Sequence, residues 1–125
     1  MNPHDKAHEL IRAIRESDAF SRAKKAKQSI EQDESTKRMV QDFKRRQFQL
    51  QAKQMMGQSV TDEEMSQMQK LSDVIGLNMD ARTYLQADME LQVLVMDVQK
   101  LLSDLLNEVS LLSLEEIYKE MGQSQ

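Results

Sequence analysis

Chemistry in this chain would have to start from very few groups. The only two histidines, His4 and His8, stand four residues apart, which on a helix places both imidazoles on one face, the spacing a two-histidine metal site uses. No cysteine and no further histidine is available as a third ligand, and the pair sits near a terminus that tends to fray. Solvated surface histidines are the expectation. A carboxylate-bridged di-metal site inside a helical bundle needs Glu-x-x-His pairs that point inward, and the sequence has none. Asp97 and Asp104 are seven apart on one helix side, but that side is polar, so a solvated face explains them. Neither histidine has a candidate nucleophile near it in sequence. Without cysteine there are no disulfides, zinc–thiolate sites or iron–sulfur clusters. The three glycines fall at helix ends and leave no loop to cradle phosphate. The reading is a non-enzyme, with no catalytic, cofactor-binding or metal-ligating residue.

The feature most like a site is a basic helix carrying Lys37, Arg38, Lys44, Arg45, Arg46 and Lys53, opposed between residues 36 and 57 only by Asp42. Such clusters neutralise phosphates in nucleic-acid binding proteins. On a helical wheel these six scatter over several sides, and no aromatic residues interleave with them for base stacking. A solvated flank is favoured over an anion-binding or partner-docking surface, and RNA association is kept as the alternative. Charge is also unevenly divided along the chain. Residues 1–57 hold 13 Lys/Arg against 8 Asp/Glu, and residues 58–125 hold 4 against 13. An anionic partner would exploit that split, but mutual attraction of the two halves, within a bundle or across a dimer, is the preferred account.

The elements that must position these groups are helices. Ten methionines, three glycines, one proline and no tryptophan in 125 residues describe an aliphatic all-α chain. Its centre is Tyr84 to Val109. Tyr84, Asp88, Leu91, Val95, Val98, Leu102, Leu105 and Val109 recur at alternating steps of four and three, the spacing of a face that stays against a partner helix. Leu94, Leu101 and Leu106 widen it. Leu85, Met89, Val93 and Met96 make a second apolar strip on roughly the opposite side. Two strips need partners on two sides, so the residues expected at an oligomer interface are Leu85, Met89, Leu91, Val93, Val95, Met96, Val98, Leu102 and Leu105. Asp88, Glu90, Asp97 and Lys100 exclude a membrane span, which needs about 20 consecutive apolar residues.

The remaining boundaries follow from capping signals. Asn2-Pro3 starts a helix that runs to about residue 16, where Ser17-Asp18 breaks it. A second helix carries Phe20, Ala23 and Ile30. Asp33 can cap a new helix or be read through, and both options stay open. A long helix over about 35–56 has Met39, Val40, Phe43 and Leu50 on one face and closes at Gly57. Thr61 and Glu64 form a capping box that starts a fourth helix ending at Gly76. Asn78 or Asp80 caps the central helix. Ser113 and Glu116 repeat the box before a short helix over about 114–121 closed by Gly122. The expected architecture is one antiparallel helical-bundle domain over 1–125, with long helices, assembled as a dimer or tetramer. The N-terminus runs into HDKAHE with no apolar leader segment, and a cytoplasmic location is expected.

Five stretches of the sequence resemble the YlbF/YmcA family of bacterial control-of-competence regulators, and most closely its short YheA-like subgroup. They are AHELIRAIRESDAF (7–20), DESTKRMVQDFKRRQFQLQAKQMMGQ (33–58), the TDEE of 61–64, ADMELQVLVMDVQKLL (87–102) and the LEEIY of 114–118. The resemblance implies a small helical bundle that forms homo-oligomers in the cytoplasm and works through protein partners. Two branches of that family are similar to adaptors that join a third protein in a complex influencing sporulation, competence and biofilm formation. That complex is linked to mRNA processing by a membrane-bound endoribonuclease and carries iron–sulfur clusters held by cysteine. The cysteine-free chain departs from that pattern, so the cluster role does not transfer.

Overall fold

The structure is a computed structural model, and it describes residues 1–123. Among these there are six helices and no strand: α1 (Pro3–Arg15), α2 (Asp18–Glu31), α3 (Glu34–Met55), α4 (Asp62–Gly76), α5 (Met79–Asn107) and α6 (Leu114–Gln123). Each boundary has a local cause. Side chains of Asn2, Ser17, Asp33, Thr61 and Asn78 accept hydrogen bonds from backbone N–H groups in the first turns of α1 to α5, satisfying donors that have no intrahelical partner. Asp33 is therefore a cap, and α2 and α3 are separate helices rather than one rod. Thr61 and Glu64 form a full capping box. At Ser113 only half of one is made, the bond from the Glu116 N–H to the Ser113 hydroxyl. Gly122, expected to close α6, instead lies within the helix.

Gly57 follows α3 in a left-handed conformation, φ 74°. The Gln58 N–H donates to the Lys53 carbonyl at 2.9 Å and the Gly57 N–H to that of Gln54 at 3.1 Å, the bond pair of a Schellman turn. The same glycine lets α6 approach, since a Cβ at Gly57 would lie 3.0 Å from the Gly122 Cα.

Helices α2 to α5 run up-down-up-down. Arg22 meets Glu90 and Lys53 meets Glu64 across antiparallel pairs. Thr36 meets Asn78 and Lys44 meets Asp88 across the parallel pair of α3 and α5. The most extensive contact is α2 on α5. The buried core takes one residue from each of the four helices, Ile30, Val40, Ile75 and Ala81, with Met39, Phe43, Leu71, Tyr84 and Leu85 packed around them. A polar latch closes the same end. Asp33 caps α3 and also accepts from the buried Thr36 hydroxyl at 2.8 Å, and that hydroxyl accepts from the Asn78 side-chain amide at 3.2 Å. Asn78 in turn caps α5 through the Ala81 N–H. Two helix starts are thus joined through one hydroxyl.

Two predictions test this end of the fold. Hydrogen bonds from Thr36 hold the Asp33 carboxyl below its ordinary pKa, and the Lys53 ammonium with the Thr61 cap does the same for Glu64. Groups with a depressed folded-state pKa contribute stability above their unfolded pKa, and lose it as pH falls through the folded value. Urea midpoints should therefore drop below about pH 4, and less so in an Asp33→Asn/Glu64→Gln variant, whose side chains still cap but do not titrate. For the glycines, Gly57→Ala should destabilise by about 1–2 kcal/mol, the strain of a left-handed alanine. Gly76→Ala should stabilise by about 0.4–1 kcal/mol, because its backbone is helical and its Cβ meets nothing within 4 Å. Urea unfolding at one fixed protein concentration reads both.

Candidate functional site

The core accounts for one end of α5. The helix has 29 residues, about 43 Å, and outruns what covers it. Leu85 turns into the core cluster. Leu91, Val95 and Val98 are half-buried and, with the more exposed Leu102, form one wall of an almost wholly apolar slot of about 390 Å³, whose other wall is Leu10, Ile11 and Ile14 of α1, with Phe20 of α2. Beyond them Leu101, Leu102, Leu105, Leu106 and Val109 are exposed, Val109 by 84%. On the second strip Met89, Val93 and Met96 are exposed as well. The nine residues expected at an interface therefore divide: four are partly covered by the chain itself, and five face outward.

A second depression of about 580 Å³ lies between α3, α4 and α5. Phe43, Phe48, Leu85 and Met89 line it, with Lys44, Arg82 and several glutamines at its edge. Phe48, outside the apolar face that Met39, Val40, Phe43 and Leu50 make on α3, is 72% exposed and forms part of this wall. Its signal was slight, one aromatic among glutamines and lysines, because α3 already has a stronger apolar face.

The basic helix does not present a cation array. Lys44 bonds Asp88 at 2.8 Å and Lys53 bonds Glu64 at 2.7 Å. Arg45 and Arg46 pair with Asp42, and Arg38 with Glu34. Among the described residues Lys37 is the one member of the six with no such ion pair. Burial by itself would lower the Lys44 pKa. The hydrogen bond to Asp88 and the neighbouring Tyr84 outweigh it and hold the ammonium above its ordinary value. Lys44 also lies over the Tyr84 ring, 5.6 Å from its centroid, within cation–π range. Among the described residues the three ion pairs that join different helices, Arg22–Glu90, Lys44–Asp88 and Lys53–Glu64, all link the basic half of the chain to the acidic half. The uneven charge is used internally.

His4 and His8 are exposed. No group of three or more His, Asp or Glu side chains among the described residues is arranged to hold a metal ion. Asp104 pairs with Lys100 at 3.5 Å, and Asp97 is exposed. No helix among the described residues is long and apolar enough to cross a membrane.

What the geometry defines is an all-α bundle protein whose distinctive surfaces are uncovered apolar helix faces. Comparison with known proteins gives that class a family. Residues 4–107 match the family model described as control of competence regulator ComK, YlbF/YmcA, and the chain belongs to this YlbF/YmcA family. It is similar to a UPF0342 protein of Caldicellulosiruptor bescii, 42% identical over 103 residues that span 82% of this chain and 87% of the relative. A UPF0342 protein of Bacillus pumilus is 34% identical over 118 residues, 94% of this chain and 93% of that one. Among solved structures it is similar to "Protein of Unknown Function (DUF964) from Bacillus stearothermophilus", with a TM-score of 0.65, 27% identity, and coverage of 85% of this chain and 93% of the other.

The ion pairing of the basic helix gives a direct expectation. Phosphate binding by free cations would make RNA retention fall steeply with salt. With five of the six cations already facing carboxylates, the protein should retain no RNA on a filter even at about 50 mM salt. Retention lost by about 200 mM would show that these pairs open to phosphate.

Proposed function

We propose that this chain is a non-enzymatic adaptor or regulatory protein that works by self-association and by docking other proteins on helix faces. In this reading residues 1–125 act as one helical-bundle domain in the cytoplasm, as a homo-oligomer. The observation that carries the proposal is exposed area. A compact monomer of 14.5 kDa is expected to present about 6,900 Å². This chain presents 9997 Å², an excess of about 3,000 Å² over that scaling. A standard protein–protein interface covers about 800 Å² on each partner, so the excess is large enough for more than one.

That excess is apolar where α5 is concerned, on both of its strips. Isolated apolar residues on a surface are ordinary, whereas a contiguous run along one helix marks an interaction site. Membership of a competence-regulator family supports protein partners over a substrate, and the family's description supplies no reaction. The Phe48–Met89 depression, continuous with Val93 and Met96 along α5, is the face assigned to other proteins.

Val98 sits midway along the first strip. Val98→Asp should place an unpaired carboxylate in a desolvated contact and weaken assembly by several kcal/mol. The expected result is a protein that keeps its far-UV helicity but falls to monomer mass in light scattering, at concentrations where the native protein is oligomeric. Native mass with retained helicity in that variant would remove this strip from the interface.

A further inference from the structure

Arg82, Met89 and Met96 stand seven residues apart on α5, which puts them on one line of the helix, about 10 Å from each to the next. Met89 and Met96 are exposed, with Val93 between them, and the exposed Phe48 of α3 shares the depression with Met89. Lys100 ends the apolar run on one side and is answered by Asp104. Inside the depression Asp88 is committed twice, to the Lys44 ammonium at 2.8 Å and to the Gln92 side-chain amide at 2.7 Å. Arg82, at the other end of the run, has no ion pair or side-chain hydrogen bond among the described residues. In a chain of net charge -4, this groove is left with one uncompensated charge, and it is positive.

Resting on the docking role proposed above, we infer that this groove receives an amphipathic helix of another protein, and that the apolar face of that helix ends in an aspartate or glutamate that pairs with Arg82. The steps along α5 from Leu85 through Met89 and Val93 to Met96 are four, four and three. A second helix laid along them meets them with its own i, i+3, i+4 and i+7 residues. An extended peptide would instead need a sheet edge for its backbone groups, and there is no strand among the described residues. A helix satisfies its own backbone, so apolar side chains suffice to hold it. Charge then sets its register. A guanidinium that a partner covers without answering loses its water for nothing, whereas a carboxylate placed there gains a charge-assisted, bidentate contact. Seven residues separate Arg82 from Met89, so that carboxylate lies about two turns from the side chain that packs on Met89. The exposed glutamines of both walls, Gln47 and Gln51 on α3 and Gln86 on α5, donate or accept equally and do not select a charge. Arg82 is the lining group left to do so.

Selection from a peptide display library on the full native chain tests this. Its members are amphipathic helices of about 18 residues, long enough to hold their shape, with leucine or methionine at three- and four-residue steps and every other position free to be glutamate, glutamine or lysine. The enriched peptides should share a glutamate about two turns from an apolar anchor. Arg82→Glu should weaken them at least about tenfold by setting like charges together, and changing that glutamate of the peptide to lysine should restore affinity. Phe48→Ser should weaken them as well. Both substituted side chains are exposed, so far-UV helicity and light-scattering mass should stay native in the two variants. Peptides with no acidic preference, bound equally by Arg82→Glu, would overturn the inference while a protein-docking groove stands. Peptides indifferent to Phe48→Ser would sit on another face and overturn it too. No enrichment, with native mass lowered by Phe48→Ser, would make the groove a contact between copies of this chain, overturning the docking role and leaving self-association. No enrichment at unchanged mass would overturn the inference and the docking role together.

Discussion

The structure depends on where burial is concentrated. One end of the bundle draws Ile30, Val40, Ile75 and Ala81 together from four helices, and the Asp33–Thr36–Asn78 latch fixes two helix starts at that same end. Hydrophobic burial does not depend on direction, but it needs partners on every side of a side chain. Four helices supply them near Ala81, which is fully buried. Toward the other end of α5 the neighbours run out, because α2 reaches only as far as its start at Asp18 and α1 stands off across a slot. The gradient along one 29-residue helix, from core to bare surface, is the fact from which the functional reading follows.

Charge works within that frame as an internal fastening. A surface ion pair contributes little by itself, and most pairs here are of the short-range kind within one helix. The three that cross between helices matter more for alignment than for energy, since each fixes the register of one rod against another. Lys44 is the clearest case. It is held by Asp88 and lies over Tyr84, two residues one helical turn apart on α5. A cation committed to two neighbours in this way sets how α3 lies along α5. It is a poor candidate for catching phosphate, although the sequence alone lists it with its neighbours as a basic run.

Local rules made the helices legible, and distance in sequence hid the rest. Caps at Asn2 and Thr61 and the turn at Gly57 are written within three or four residues, so they can be read before any tertiary contact is known. The choice between Asn78 and Asp80, by contrast, needs the structure, which gives Asn78. The break at Asp33 was undecidable because an aspartate followed by good helix formers permits both a cap and a continuous helix. The cap is completed by Thr36, whose hydroxyl is in turn held by Asn78, 42 residues further along the chain. Periodicity showed that α5 has two apolar strips. It could not show that Leu85 turns into the core, or that Leu91, Val95 and Val98 are partly claimed by α1 and α2. A repeat of three and four residues identifies a face and is silent about whose side chains cover it. The partners of Lys44 and Lys53 were out of sight for the same reason.

On the proposed reading, the two α5 strips divide the labour by shape. The first is made of leucine and valine, stiff or well-ordered side chains that suit a fixed self-complementary contact. The second, with Phe48 beside it, is richer in methionine, whose flexible thioether chain fills irregular surfaces and tolerates partners of differing shape. A surface that must recognise only itself gains from rigidity, and one that must receive another protein gains from adaptability. Because they occupy opposite sides of a single helix, occupation of the first leaves the second open, and a dimer would present it twice. Two linked copies of a weak docking face bind a divalent or clustered partner far more tightly than one. An adaptor without a catalytic group can exert control in that way, by setting how many partner chains are held together.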